Sequence, residues 1–130
     1  MSLPGWIAQS LDVPRWFRSG GYALAGVWFM LRSQSTLWFH ILVLAAFCAA
    51  GAWLGIDPAD WRWLAAGVFA VLAAEALNTA VEQICDLVSP GPDEHVRRAK
   101  DVAAGAVLLT AFGAWATAAL TLWPYVAARL

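Results

Sequence analysis

Three long apolar runs dominate the sequence and leave few folds open to it. They cover residues 37–54, 61–86 and 102–123, and the third contains no charged residue. A helix needs about 20 apolar residues to cross the roughly 30 Å hydrocarbon core of a bilayer. Only 13% of the chain is charged, whereas about a quarter of a soluble domain is. The sequence therefore predicts an all-α membrane protein with three transmembrane helices, forming one domain over residues 1–130.

The segment before the first run has a different character. Residues 12–33 mix arginine with tryptophan and phenylalanine, and Gly20 and Gly21 interrupt the pattern. An amphipathic helix lying in the membrane interface fits this composition better than a fourth span does. We therefore predict an N-terminal surface helix over these residues.

The basic residues predict how the spans are oriented. Six of the eight lysines and arginines lie before the first span or between the second and third, and Arg62 and Arg129 lie on the other side. Because cytoplasmic loops carry the excess of Lys and Arg, we expect a cytoplasmic N-terminus and a cytoplasmic SPGPDEHVRRAKD loop. No basic cluster is large enough to bind nucleic acid, so no such partner is expected.

Polar side chains interrupt the second apolar run near its predicted cytoplasmic end. Asn78, Glu82 and Asp86 follow Glu75 at offsets of three, seven and eleven residues, which places all four on one helical stripe. An ionisable side chain inside a membrane span is costly, and its default interpretation is a functional one. The stripe therefore predicts a functional site.

The residue types suggest a chemistry for this site. Glu82 and Asp86 offer oxygen ligands to a hard divalent cation, and Lys100 and its neighbouring arginines offer positive charge to phosphate. Glu75 lies about two turns deeper than Glu82 and is placed to accept a proton from a lipid hydroxyl. Together these groups suggest phosphoryl transfer to a lipid alcohol. Proton or cation transport and helix–helix contacts remain open alternatives for the stripe, as does membrane anchoring for Lys100.

Two motifs resemble a known family. The run EALNTAVEQICDLV, followed after a short loop by RRAKDVAAGAVLL, resembles the prokaryotic diacylglycerol kinases, which include undecaprenol kinases. The family pattern is E-x-x-N-[ST]-A-x-E-x-x-x-D and then A-K-D. The positions that match it are Glu75, Asn78, Thr79, Ala80, Glu82, Asp86, Ala99, Lys100 and Asp101.

The resemblance implies a lipid kinase of the bacterial cytoplasmic (inner) membrane. It implies ATP as the phosphate donor, Mg²⁺ as the metal, a membrane lipid alcohol as the acceptor, and a homotrimer. Glu75 would be the base, Asn78 would position Glu75 or the γ-phosphate, and Glu82 would bind the metal beside the nucleotide. Further nucleotide contacts implied by the resemblance are Arg15, Tyr22, Lys100 and Asp101. The chain has no GxxxxGK[ST] motif, and the family binds ATP without one.

The sequence also departs from the family pattern. A second metal-binding glutamate is usual where this chain has Gln34, in RSQST, and an amide oxygen brings no charge to Mg²⁺. In the loop, a usual histidine is replaced by Asp93, so that Asp93, Glu94 and His95 are candidates for adenine contacts. We expect a weakened metal site at Glu82 and Gln34. A catalytically weakened or non-enzymatic assembly, such as an ion or proton pathway on the same fold, is the alternative.

The identity of the lipid is left open between two classes. His40, in LWFHIL, resembles the undecaprenol kinase branch, whereas Gly20, Gly21 and Tyr22 resemble the diacylglycerol branch. The chemistry is the same for both, namely phosphorylation of a primary hydroxyl at the membrane face.

Overall fold

The computed structural model describes residues 13–130, and these form four α-helices and no strand. Helix α1 covers Val13–Ser33, α2 Ser35–Leu54, α3 Trp61–Val88 and α4 Glu94–Ala127. Residue 12, the first residue of the predicted surface helix, lies outside the described part of the chain.

Helices α2, α3 and α4 contain 20, 28 and 34 residues, and each is long and apolar enough to cross a membrane. The three predicted spans are helices of sufficient length and apolar composition, and the part of the chain from residue 13 to residue 130 is helical, as predicted for a membrane protein of this kind. Their starts and ends agree with the apolar runs to within a few residues, except at the start of α4.

The start of α4 corrects the sequence prediction. The loop was expected to include SPGPDEHVRRAKD, but the helix already begins at Glu94 and includes Lys100 and Asp101. Asp93 caps this helix, because its side chain accepts hydrogen bonds from the backbone N–H groups of His95 and Val96, at 2.7 and 3.1 Å. Such a cap satisfies N–H groups that the first helical turn leaves unpaired.

The opposite end of the bundle is closed by a tight turn between α2 and α3. Gly55 ends α2 with a φ of +68°, a left-handed conformation that glycine adopts without a steric penalty. The following loop is tied to α4, because the Tyr125 hydroxyl donates to Asp60 at 2.5 Å and accepts from the backbone N–H of Asp57 at 3.0 Å. These contacts fix the loop against the C-terminal end of the third span.

Helices α3 and α4 have the most extensive contact in the bundle. Small residues let them approach closely: a Cβ placed on Gly67 would lie 3.2 Å from the Cβ of Ala114. Val71 and Ala111 are fully buried beside this contact, and Leu44 of α2 packs against them. Close approach through small residues is the usual way in which helices associate within membranes.

Helix α1 contacts the rest of the chain near its C-terminal end, where Met30 is buried. Large apolar side chains elsewhere on α1 are exposed, including Trp16, Phe17 and Trp28. The helix therefore presents aromatic surface that the other described helices do not cover.

The close contact of α3 with α4 can be tested with two glycine substitutions. Gly67→Leu should lower the free energy of unfolding by about 1–3 kcal/mol, because the added side chain pushes against the backbone of Ala114. Gly113→Leu is the matched control, because an added Cβ there meets no atom within 4 Å. Thermal unfolding in detergent would measure both, and equal stability of the two variants would contradict this packing.

Candidate active site

Three of the polar side chains that the sequence predicts for the site face the interior of the bundle from helix α3. Glu75 is 1% exposed and Asn78 is 7% exposed, while Glu82, one turn further on, is half-buried. Their spacing returns them to one face, as the sequence predicted. Asp86, the fourth member of the predicted stripe, is exposed and turns to a different partner.

Both carboxylate oxygens of Glu82 accept hydrogen bonds from amide groups. The Asn78 Nδ2 donates to Oε1 at 3.0 Å, and the Gln34 Nε2 donates to Oε2 at 2.5 Å. Gln34 lies in the break between α1 and α2, where its extended backbone interrupts the helix. The helix break thus brings a residue 48 positions away in the sequence to the predicted metal-binding carboxylate.

Glu75 lies deeper, with a basic side chain beside it. Its Oε1 is 3.4 Å from the Nε2 of His40, which is itself 8% exposed. Thr79 satisfies its own hydroxyl by donating to the Glu75 backbone carbonyl at 2.9 Å. Glu75 Oε1 and Asn78 Oδ1 are buried without a hydrogen-bond partner among the described residues. Buried acceptors without a partner require a donor, either from a neighbouring side chain or from a ligand.

A cavity of about 250 Å³ connects these groups. It extends from the helix break, past the three polar residues of α3, to apolar side chains of α4. Its lining residues are Gln34, Thr36, His40, Glu75, Asn78, Glu82, Ala104, Val107 and Leu108. A deep carboxylate and a shallower one therefore border the same space.

A second cavity, of about 530 Å³, lies at the α3–α4 loop. Beside it, Lys100 donates to Asp86 at 2.5 Å, which joins the ends of α3 and α4. This hydrogen bond raises the pKa of Lys100, which precedes the apolar part of its helix. Lys100 therefore remains a cation at neutral pH, and a phosphate group that binds it must compete with Asp86.

The other charged residues at the start of α4 pair with one another. Glu94 accepts from Arg97 at 2.7 Å and from Arg98 at 3.0 Å, and these two bonds lower the pKa of Glu94. Arg97 also donates to Asp101 at 2.8 Å. All four side chains are exposed, so each pair adds little to stability. They form a polar rim around the loop.

The structure brings some predicted site residues together and leaves others apart. Gln34 and Asn78 meet Glu82, but Tyr22 is 77% exposed on α1 and does not line either cavity. The side chain of Arg15 lies outside the described part of the chain. Asp93 caps α4, and His95 is exposed.

The residues around Glu82 could hold a magnesium ion together with phosphate oxygens of a ligand. Mg²⁺ is commonly held by one or two carboxylates together with phosphate oxygens and waters. Glu82 supplies one carboxylate, and the amides of Gln34 and Asn78 supply uncharged oxygens nearby. Among residues 13–130, no group of three or more His, Cys, Asp or Glu side chains is placed to hold a metal by itself.

Comparison with known proteins identifies the family. The family model of prokaryotic diacylglycerol kinase matches residues 21–122. The chain belongs to this family. The undecaprenol kinase of Bacillus subtilis (strain 168) is 29% identical over 100 residues, which cover 77% of this chain and 81% of that protein.

Two diacylglycerol kinases are also similar to the chain. That of Synechocystis sp. is 37% identical over 94 residues, covering 72% of this chain and 54% of the relative, so the match spans about half of that protein's length. That of Escherichia coli (strain K12) is 33% identical over 85 residues, covering 65% of this chain and 69% of the relative. Membership in this family makes the chain a lipid kinase, as the motifs predicted.

The sequence did not indicate that His40 contacts Glu75. His40 resembles the undecaprenol kinase branch of the family, but its contact with Glu75 was not predicted. A histidine within an apolar span is costly unless it is paired, and this cost is the signal that could have indicated a polar partner on another helix. Which helix supplies that partner depends on packing.

The contact between Gln34 and Glu82 generates a stability test. Gln34→Glu should lower the melting temperature in a chelator, because two carboxylates then face each other where an amide now donates. Added Mg²⁺ should restore it, because a divalent cation offsets their repulsion. Gln83→Glu is the matched control, since the same charge is added at an exposed neighbouring position. If added Mg²⁺ leaves the melting temperature of Gln34→Glu unchanged, no metal binds between residue 34 and Glu82.

Proposed function

We propose that the protein transfers the γ-phosphate of ATP to the hydroxyl of a membrane lipid alcohol, of the diacylglycerol or undecaprenol class, at the cytoplasmic membrane face. The observation that carries this proposal is the cavity bordered by both Glu75 and Glu82. A base at the deep end suits an acceptor that arrives from the membrane. A metal-binding carboxylate at the shallow end suits a donor that arrives from water.

Glu75 acts as the general base of the reaction. One carboxylate oxygen takes the proton of the lipid hydroxyl, and the lipid oxygen forms a bond to the γ-phosphorus. The bond from that phosphorus to the oxygen it shares with the β-phosphate breaks in line, and ADP leaves with the electron pair. The proton stays on Glu75 until the product departs. Burial of Glu75 keeps water from competing as the acceptor.

Residues near the membrane surface hold the nucleotide. Glu82, with an oxygen of Gln34, would hold Mg²⁺, which supplies positive charge to the phosphates when bound. Asn78 keeps Glu82 in place through its 3.0 Å hydrogen bond. Lys100 binds a phosphate of the nucleotide after its hydrogen bond to Asp86 is broken. Asp101 follows it directly in the sequence and lies at the polar rim. Arg15, Tyr22, Asp93, Glu94 and His95 complete the proposed set of nucleotide contacts.

We further propose that the protein is a homotrimer in the bacterial inner membrane. Tyr22 and the exposed aromatic side chains of α1 lie away from both cavities of their own chain. In a homotrimer, α1 of one protomer reaches the site of another while it lies in the interface of the bacterial inner membrane. The excess of basic residues orients the N-terminus towards the cytoplasm.

Lipid phosphorylation in mixed micelles tests the reaction directly. The protein is given ATP and Mg²⁺ with diacylglycerol, monoacylglycerol or undecaprenol in turn. We expect it to phosphorylate at least one of these lipids. Glu75→Gln should lower kcat by about 10²–10⁴-fold, because the amide cannot accept the proton. Gln83→Ala, at an exposed position of the same helix, is the control. If no lipid is phosphorylated, a non-enzymatic ion or proton pathway on the same fold is the remaining alternative.

Replacing Gln34 by glutamate should change how the activity depends on the Mg²⁺ concentration. Gln34→Glu should raise activity at low Mg²⁺ by adding a second carboxylate to the metal site, while activity at saturating Mg²⁺ changes less. Measuring the rate across a Mg²⁺ titration for the wild type and the variant gives both values. Identical titration curves would place the metal away from residue 34.

A further inference from the structure

Glu75 is the most completely buried polar side chain in the described part of the chain. A carboxylate that leaves water needs donors, because leaving it unpaired costs more than any net gain from its contacts. The neighbouring polar side chains offer little: Thr79 uses its hydroxyl on a backbone carbonyl, and Asn78 directs its N–H group to Glu82. The group that the structure places against the Glu75 carboxylate is the His40 ring, 3.4 Å away.

The burial of His40 determines which ring nitrogen carries the proton. Its Nε2 faces Glu75, and its Nδ1 is buried without a partner among the described residues. In a neutral imidazole one nitrogen donates and the other accepts. A proton on Nδ1 would leave a buried N–H unpaired and would turn a lone pair towards the carboxylate. The favoured neutral form therefore carries its proton on Nε2.

Aromatic side chains hold the His40 ring in this orientation. Trp115 of α4 lies 5.9 Å from the imidazole, measured between ring centroids, and Phe39 lies 5.8 Å from it edge to face. Phe39 and Trp115 also contact each other, at 6.1 Å. The imidazole is thus packed between α2 and α4 while its Nε2 faces α3. A side chain held by packing can orient its hydrogen-bonding partner.

We propose that His40 is a positioning residue for the kinase reaction: its Nε2–H donates to Oε1 of Glu75 and leaves Oε2 to accept the proton of the lipid hydroxyl. The inference rests on the proposed role of Glu75 as the base. A separation of 3.4 Å is long for a hydrogen bond, and catalytic hydrogen bonds of this kind shorten when the substrate is bound. His40 donates no proton to the products, so the proton balance of the reaction is unchanged.

Two substitutions at His40 separate positioning from packing. His40→Leu removes the donor, and kcat should fall about 10- to 100-fold, as expected for losing a hydrogen bond to a charged group. The KM values for ATP and lipid should change less than about threefold, because the bond orients the base rather than the substrates. His40→Gln keeps an N–H donor at similar reach and should retain kcat within about threefold of the wild type.

The controls make each outcome decisive. Leu42→Ala changes an exposed position of the same helix and should leave kcat unchanged. The role of His40 is overturned if His40→Leu keeps full kcat, if its loss appears in KM alone, or if His40→Gln is as impaired as His40→Leu. A wild-type protein that phosphorylates no lipid would instead overturn the proposed function itself.

Nuclear magnetic resonance gives a readout that needs no activity. The chain has two histidines, so ¹⁵N-histidine labelling gives few signals, and the His40→Gln variant assigns those of His40. We expect Nε2 of His40 to carry a proton in the wild type, because it is the nitrogen that faces Glu75. An Nε2 without a proton would contradict the proposed hydrogen bond.

Discussion

The hydrocarbon interior of a membrane offers no hydrogen-bond partners, and this constraint organises the second span. Polar groups that α3 carries into the bundle can find partners only in the protein itself or in a bound ligand. Glu82 finds two amides, and Glu75 lies against His40. These contacts come from the α1–α2 break, from α2 and from α3 itself. The need to pair two carboxylates thus determines which residues surround the site.

The close packing of α3 with α4 makes the site possible. Gly67 and Ala114 allow the two helices to approach in the half of the bundle nearer the α2–α3 turn, and Val71 and Ala111 fill the next layer. Towards the α3–α4 loop the packed layer gives way to the cavity beside Glu75. Lys100 and Asp86 then join the two helices again at the polar end. A rigid apolar layer on one side and an ion pair on the other hold the cavity in place.

Gln34 brings no charge to the proposed metal site, where the family pattern implies a second glutamate. In the structure its amide donates to Oε2 of Glu82 and Asn78 donates to Oε1, so that each carboxylate oxygen accepts a hydrogen bond. A second glutamate in the same place would repel the first until a metal bound. The amide therefore stabilises Glu82 through a hydrogen bond, but it would offer Mg²⁺ no negative charge.

The amino-acid sequence was enough to predict the three spans, the family and the shared face of Glu75, Asn78 and Glu82 on α3, because apolar length, helical period and the two motifs are local properties of the chain. The predicted start of α4 was too late, because the loop prolines indicate a break in the helix but do not indicate that Asp93 caps a new helix directly after them. Only the tertiary structure paired Gln34 with Glu82 and His40 with Glu75. Those partners lie 48 and 35 positions apart, and no local pattern encodes them. Their meeting depends on how α2 packs against α3 and α4, which the sum of many small side-chain contacts decides.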